Sequence, residues 1–117
     1  MLYVDDETIN LDLLRITYLN EFKIITALSA EEGLEILEQQ PDIPVVISDL
    51  RMPGMNGLEF IRRIKQRYPD KVCMLLTAFM ESEVMMEGFN KELLFRYLMK
   101  PFNKEELKET LEAALRQ

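Results

Sequence analysis

Short runs of apolar residues alternate along this chain with longer segments whose apolar residues recur at helical spacing. The apolar runs cover residues 2–4, 22–27, 43–48, 72–77 and 95–99. Alternation at this spacing predicts an α/β fold, in which a doubly wound parallel sheet carries helices on both faces. The run at 43–48 is almost wholly apolar, which is typical of a central strand buried on both sides.

The segments between these runs carry helix signals. Three of them contain an apolar stripe, formed by Leu11, Leu14 and Tyr18, by Ala30, Leu34 and Leu37, and by Leu107, Leu111, Ala114 and Leu115. Ser29 and Asn103 are each followed three residues later by a glutamate, which is the spacing of a capping box. We therefore expect helices to begin at these two positions.

Length and charge limit what the chain can be. Its 117 residues suffice for one domain with a core, so we expect a single domain over residues 1–117. The net charge of 14 − 21 = −7 argues against direct contact with nucleic acid or an anionic membrane. No apolar run approaches the ~20 residues that span a bilayer, and the lone Cys73 excludes a disulfide within the chain. The expected compartment is the cytoplasm.

Histidine is absent from the chain. This excludes catalysis by its own histidines and the usual zinc sites. Any phosphohistidine chemistry must therefore place the histidine on a partner.

Polar residues lie at or directly after the ends of four of the apolar runs. They are Asp5, Asp6, Asp49, Thr77 and Lys100. Because the carboxyl ends of parallel strands share one edge of the sheet, we expect these side chains to converge. Clustered carboxylates repel one another unless a cation is present. The pattern indicates a magnesium site at which one aspartate performs phosphoryl chemistry.

Each of these residues also has an ordinary explanation. In these explanations, Asp49 would initiate a turn and Thr77 would be chosen for its strand propensity. Asp5 and Asp6 would complement a helix dipole, and Lys100 would be a solvated lysine. Their order and their coincidence with strand ends favour the site.

Asp49 opens the least ordinary stretch, DLRMPGMNG at residues 49–57. Pro53, Gly54 and Gly57 predict a defined turn directly after a buried strand, which holds the carboxylate at the sheet edge. A carboxylate in this position can act as a nucleophile toward phosphorus and form an aspartyl phosphate.

Four motifs together resemble the receiver domain of two-component response regulators, over essentially the whole chain. They are VDDE at 4–7, SDLRMPGMNG at 48–57, LTA at 76–78 and YLMKPF at 97–102. The resemblance implies a flavodoxin-like fold similar to that of chemotaxis regulators. It has a five-stranded parallel sheet of order 2-1-3-4-5 and five helices.

The resemblance also implies a chemistry. Asp49 would accept a phosphoryl group from a phosphohistidine on a sensor histidine kinase or phosphotransfer protein. Asp5, Asp6 and Asp49, with the backbone carbonyl of Arg51, would hold Mg²⁺, and Asp6 would be the more direct ligand of the acidic pair. Such a chain is a phosphoprotein that promotes its own phosphorylation and dephosphorylation, and it is not an enzyme with an external substrate.

A switch is implied in the same way. Thr77 and Lys100 would contact the phosphoryl oxygens, and Tyr97 would turn inward as Thr77 moves. The bond between Lys100 and Pro101 would be cis. The change would reshape the face made by the fourth helix, fifth strand and fifth helix, which would control an output domain or downstream protein or support a homodimer.

Two positions modulate phosphoryl lifetime in this family, and here they are Arg51 and Phe79. Phe79 cannot orient a water molecule, so we predict slow self-dephosphorylation. The segment 87–97 is bulkier than is usual in the family, with Phe89, Leu93 and Leu94 serving either as core or as a contact surface. This composition does not fix where the fourth helix begins and ends.

Two other interpretations compete. A phosphatase of the haloacid-dehalogenase type also uses an aspartate nucleophile with magnesium, but it needs a second aspartate where this chain has Arg51. Alternatively, the chain is a receiver-fold interaction module that acts without phosphorylation.

Overall fold

Five strands form one parallel sheet. In a computed structural model that describes residues 1–79 and 93–117, the strands are Leu2–Val4 (β1), Ile25–Ala27 (β2), Val45–Ser48 (β3), Val72–Thr77 (β4) and Arg96–Met99 (β5). Their order is β2-β1-β3-β4-β5, and every neighbouring pair is parallel. The apolar strand β3 is central and buried throughout, as predicted.

The described residues contain four helices, Thr8–Thr17 (α1), Ala30–Gln39 (α2), Gly57–Arg67 (α3) and Lys104–Leu115 (α4). Helix α4 is the helix that the sequence predicts as the fifth. The predicted fourth helix and most of the bulky segment at 87–97 fall within residues 80–92, outside the described part of the chain. Of that segment's apolar residues, Leu94 is buried in the core and Leu93 packs against it.

Three strands are shorter than the apolar runs predict, since β2, β3 and β5 begin at residues 25, 45 and 96. Before β2, the backbone N–H of Phe22 bonds to the carbonyl of Tyr18 and continues the turn that follows α1. Phe22 and Ile24 still pack against the core. Their apolar character reflects packing and not sheet pairing.

Each face of the sheet is covered by two of the four described helices. Helices α1 and α4 cover the face that carries Tyr3, Ile47 and Met74. Helices α2 and α3 cover the other face. The predicted stripes lie at these interfaces with one exception, Leu115, which is 44% exposed at the last turn of α4. None of the described helices is both long and apolar enough to span a bilayer.

Side-chain caps set the starts of three of the described helices. The N–H of Glu32 donates to Ser29 Oγ at 3.1 Å, and the N–H of Glu106 donates to Asn103 Oδ1 at 2.9 Å, as the capping-box spacing predicts. Asn56 caps α3 in the same way, by accepting from Glu59 N–H at 2.9 Å. Helix α3 therefore begins immediately after the loop that follows Asp49.

Candidate functional site

Three carboxylates meet at the carboxyl edge of the sheet. Asp5 and Asp6 follow β1, and Asp49 follows β3, the strand next to β1. One carboxylate oxygen from each lies within 4.8 Å of the others. Asp5 and Asp49 are buried, whereas Asp6 is exposed. Adjacent parallel strands thus bring together residues that are more than forty positions apart in the sequence.

Lys100 enters this cluster from the end of β5. Its Nζ lies 2.5 Å from Asp5 Oδ2 and 2.9 Å from Asp49 Oδ2, and its side chain is 15% exposed. Burial works to lower the pKa of this ammonium, but the hydrogen bonds to the two carboxylates and their charges outweigh burial and raise the pKa. The following bond to Pro101 is cis. Lys100 is therefore an internal counterion and not a solvated lysine.

Backbone contacts hold Asp49 in place. Its N–H donates to the Val4 carbonyl at 2.9 Å, and its Oδ1 accepts from the N–H of Leu50 at 2.7 Å. Ser48 Oγ donates to the Asp49 carbonyl at 2.7 Å. One side-chain oxygen is thus bound by the backbone and the other by Lys100. The carboxylate presents a defined geometry at the sheet edge.

Two glycines shape the loop after Asp49. Gly54 has a φ of +77°, a left-handed conformation that glycine adopts without steric cost. At Gly57, a Cβ would clash with the carbonyl oxygen of Asp49 and lie 3.0 Å from Ser48 Oγ. The predicted turn therefore packs the start of α3 directly against the backbone of Asp49.

Tyr3 is a site neighbour that was not predicted from the sequence. Its buried hydroxyl donates to Asp5 Oδ2 at 2.8 Å. Burial, reinforced by the charge of Asp5 and by this hydrogen bond, raises the pKa of Tyr3. The period of two residues along a strand puts Tyr3 and Asp5 on the same side, and this was the available signal. Asp5 Oδ1 in turn accepts from Glu7 N–H at 2.9 Å.

Thr77 lies at the end of β4, and its hydroxyl forms two hydrogen bonds with the backbone of Phe79. It accepts from the Phe79 N–H and donates to the Phe79 carbonyl, both at 3.3 Å. The Phe79 ring is 62% exposed and stands 5.1 Å from the guanidinium carbon of Arg51, a cation–π contact. The two positions predicted to modulate phosphoryl lifetime thus touch each other, although each was predicted separately.

Tyr97 is a half-buried residue of β5, paired in register with Leu75. It packs against the core on the side of α2 and α3. It also lines a cavity of about 270 Å³ together with Phe102 and Leu107, which belong to the loop before α4 and to α4 itself. Tyr97 therefore connects the sheet to a surface formed by β5 and α4.

The donor set suits a hard divalent cation. Three carboxylates and one ammonium carry a net charge of −3 + 1 = −2. Magnesium binds carboxylate oxygens and retains several waters, so one exposed carboxylate beside two buried ones is a suitable arrangement. The residues present therefore fit Mg²⁺, with Asp6 the most accessible ligand.

Known proteins are similar to this chain in sequence and in fold. The response regulator receiver domain family matches residues 1–112. The hydrogenase transcriptional regulatory protein HoxA of Cupriavidus necator is 36% identical over 115 residues, which cover 98% of this chain and 24% of HoxA. The DNA-binding transcriptional regulator NtrC of Escherichia coli K12 is 36% identical over 95 residues, 78% of this chain and 20% of NtrC.

A solved structure agrees with these matches. The crystal structure of a response regulator receiver domain protein from Clostridium thermocellum has a TM-score of 0.90 and 30% identity, covering 98% of this chain and 92% of that one. The chain spans a quarter or less of either curated relative. It belongs to the receiver domain family of the response regulators of two-component systems.

Proposed function

We propose that this chain is a phosphorylation-activated switch that accepts a phosphoryl group on Asp49 in a magnesium-dependent reaction. The observation that carries the proposal is the setting of Asp49, a buried carboxylate beside two others and in contact with Lys100. Membership of the receiver domain family supports the same assignment.

The chemistry follows from these contacts. A carboxylate oxygen of Asp49 attacks the phosphorus of a phosphohistidine, the P–N bond breaks, and the imidazole leaves with its electron pair. Lys100 stays within ion-pair distance of Asp49 and stabilises the added negative charge. Asp5, Asp6, Asp49 and the carbonyl of Arg51 would hold Mg²⁺, which when bound supplies further positive charge beside the phosphoryl oxygens.

The switch begins at Thr77. Its hydrogen bonds to Phe79 are long for a hydroxyl, so they are weak and easily exchanged for a charged phosphoryl acceptor. As Thr77 moves toward the phosphoryl group, Tyr97 turns inward and changes the surface of β5 and α4. The result is a population shift between two packings of one fold.

A protein donor suits the surface next to Asp49. A cavity of about 500 Å³ is lined by Lys100, by Pro101 and by Leu13 of α1. Ile9, Leu13 and Ile16 are exposed apolar residues at helical spacing on α1. We assign this surface to a sensor histidine kinase or phosphotransfer protein, which supplies the histidine that this chain lacks.

The output lies in other parts of the system. With a net charge of −7, this domain, over residues 1–117, acts without direct contact with nucleic acid or membrane. We place it in the cytoplasm. Its surface of β5 and α4, together with the predicted fourth helix, controls an output domain or downstream protein and supports a homodimer. HoxA and NtrC are named transcriptional regulators, which supports a transcriptional output.

The proposal is tested by intact mass after incubation with acetyl phosphate and magnesium. We expect one phosphoryl adduct on the wild type and none on Asp49→Ala or without magnesium. Asp12→Ala, which removes an exposed carboxylate from an ion pair with Arg15, serves as the matched control and should still be phosphorylated. No adduct from acetyl phosphate or a cognate kinase would favour the phosphorylation-independent interaction module.

The phosphoryl group should be long-lived because Phe79 shields it. Phe79→Ala removes the ring and its contact with Arg51, which at an exposed site contributes about 0.5–1 kcal/mol. We expect the half-life of the phosphorylated protein to shorten by roughly two- to fivefold, as measured by mass spectrometry over time. Phe79→Leu keeps a large apolar side chain that cannot orient a water molecule, so its half-life should lie closer to that of the wild type than to that of Phe79→Ala. An unchanged half-life in Phe79→Ala would show that Phe79 does not shield the phosphoryl group.

A further inference from the structure

Tyr3 places a buried hydroxyl against the carboxylate cluster. The residue is 1% exposed within β1, and its hydroxyl donates to Asp5 Oδ2 at 2.8 Å. Its ring packs in the core with α1 and α4, a role that phenylalanine would fill equally well. Burying a hydroxyl costs free energy unless it is hydrogen-bonded. The hydroxyl is therefore explained by Asp5 and not by packing.

Asp5 depends on three donors. The N–H of Glu7 donates to Oδ1 at 2.9 Å, whereas Tyr3 and Lys100 both donate to Oδ2. Asp5 is fully buried, so a lost donor cannot be replaced by bulk water. Lys100 is the one donor of the three that also reaches Asp49, at 2.9 Å.

These contacts become important when Asp49 is phosphorylated. On the proposed function, on which this inference rests, the phosphoryl group attracts the ammonium of Lys100, and Asp5 Oδ2 then loses its hydrogen bond to Lys100. An unsatisfied buried carboxylate oxygen is costly. We infer that Tyr3 is a positioning residue that keeps Asp5 hydrogen-bonded while Lys100 turns from Asp5 to the phosphoryl group. Tyr3 thereby lowers the cost of releasing Lys100.

Tyr3→Phe isolates the hydroxyl, because the ring remains. Beryllofluoride, an unreactive mimic of a phosphoryl group on a carboxylate, is titrated into protein saturated with Mg²⁺ and followed by ¹⁹F NMR. A hydrogen bond to a charged group contributes enough that its loss should weaken beryllofluoride binding roughly tenfold. The affinity for Mg²⁺ alone, measured by calorimetry, should stay close to that of the wild type, since Lys100 then still contacts Asp5.

Tyr18→Phe is the matched control. Tyr18 is also fully buried on the same face of the sheet, and its hydroxyl donates to the backbone carbonyl of Lys104 at 2.8 Å. Tyr18→Phe loses one partly buried hydrogen bond of the same length but no contact with Asp5. We expect its beryllofluoride affinity to equal that of the wild type.

The outcomes separate the inference from the proposed function. Equal beryllofluoride affinity in the wild type and Tyr3→Phe would overturn the inference, as would equal weakening in Tyr3→Phe and Tyr18→Phe. A parallel loss of Mg²⁺ and beryllofluoride affinity in Tyr3→Phe would also overturn it, because that result indicates a general disturbance of Asp5. A wild type that binds no beryllofluoride would overturn the proposed function and the inference with it.

Discussion

Replacing Lys100 with methionine is expected to lower the free energy of unfolding by about 3–5 kcal/mol in magnesium-free buffer. The variant keeps most of the side-chain volume but leaves Asp5 and Asp49 without their shared cation. Removing one partner of a buried ion pair is costly because the remaining charge stays buried. Urea-induced unfolding, monitored by circular dichroism, measures the change.

Magnesium and pH should modulate this loss. Mg²⁺ binds the folded carboxylate cluster and should restore part of the stability, by an amount that grows with its concentration. In the wild type the pKa of Lys100 is raised, so its contribution is complete at neutral pH. That contribution is lost as pH rises through the raised value.

Lys108→Met provides the control for Lys100→Met. Lys108 makes one ion pair, 3.2 Å from Glu21, and the lysine side chain is 37% exposed. Solvent screens such a pair, so we expect little change in stability. If Lys100→Met and Lys108→Met were equally stable, Lys100 would not be the cation that compensates the cluster.

Gly57→Ala is expected to destabilise the protein by about 3 kcal/mol, the upper end of the usual cost of overpacking. The added methyl would overlap the carbonyl oxygen of Asp49 and lie 2.9 Å from its carbonyl carbon. These atoms belong to the backbone and cannot move aside as a side chain can. Because α3 must shift, Asp49 should also be displaced, and its phosphorylation by acetyl phosphate should slow. Urea-induced unfolding and intact mass measure the two effects.

Gly54→Ala separates this steric effect from backbone conformation. Gly54 has a left-handed φ of +77°, and a Cβ there would lie 3.4 Å from the flexible end of Glu31. Alanine at this position should cost about 1–2 kcal/mol through strain alone. Its effect on Asp49 should be small. A Gly57→Ala variant as stable as the wild type would show that the contact between α3 and Asp49 yields easily.

The regular features of the fold were predictable because they are encoded locally. The alternation of apolar runs and helical stripes predicted the parallel sheet, and β3 is the buried central strand that its composition predicted. The caps at Ser29 and Asn103 followed from the spacing of two residues in each case. Strand starts were less accurate, because apolar residues such as Phe22 serve packing as well as pairing.

The candidate site was predictable as a set of strand ends, but not as a set of contacts. A short motif specifies where a strand ends, and parallel order then brings those ends to one edge. Lys100, however, pairs with Asp5 across 95 residues and with Asp49 across 51. Two further contacts depend on how side chains pack in three dimensions. They are the hydrogen bond from the Tyr3 hydroxyl to Asp5 and the cation–π contact between Arg51 and Phe79. The sequence thus determines which chemical groups lie at the strand ends. Their contact partners are determined only by the tertiary structure, because the strands must first assemble side by side.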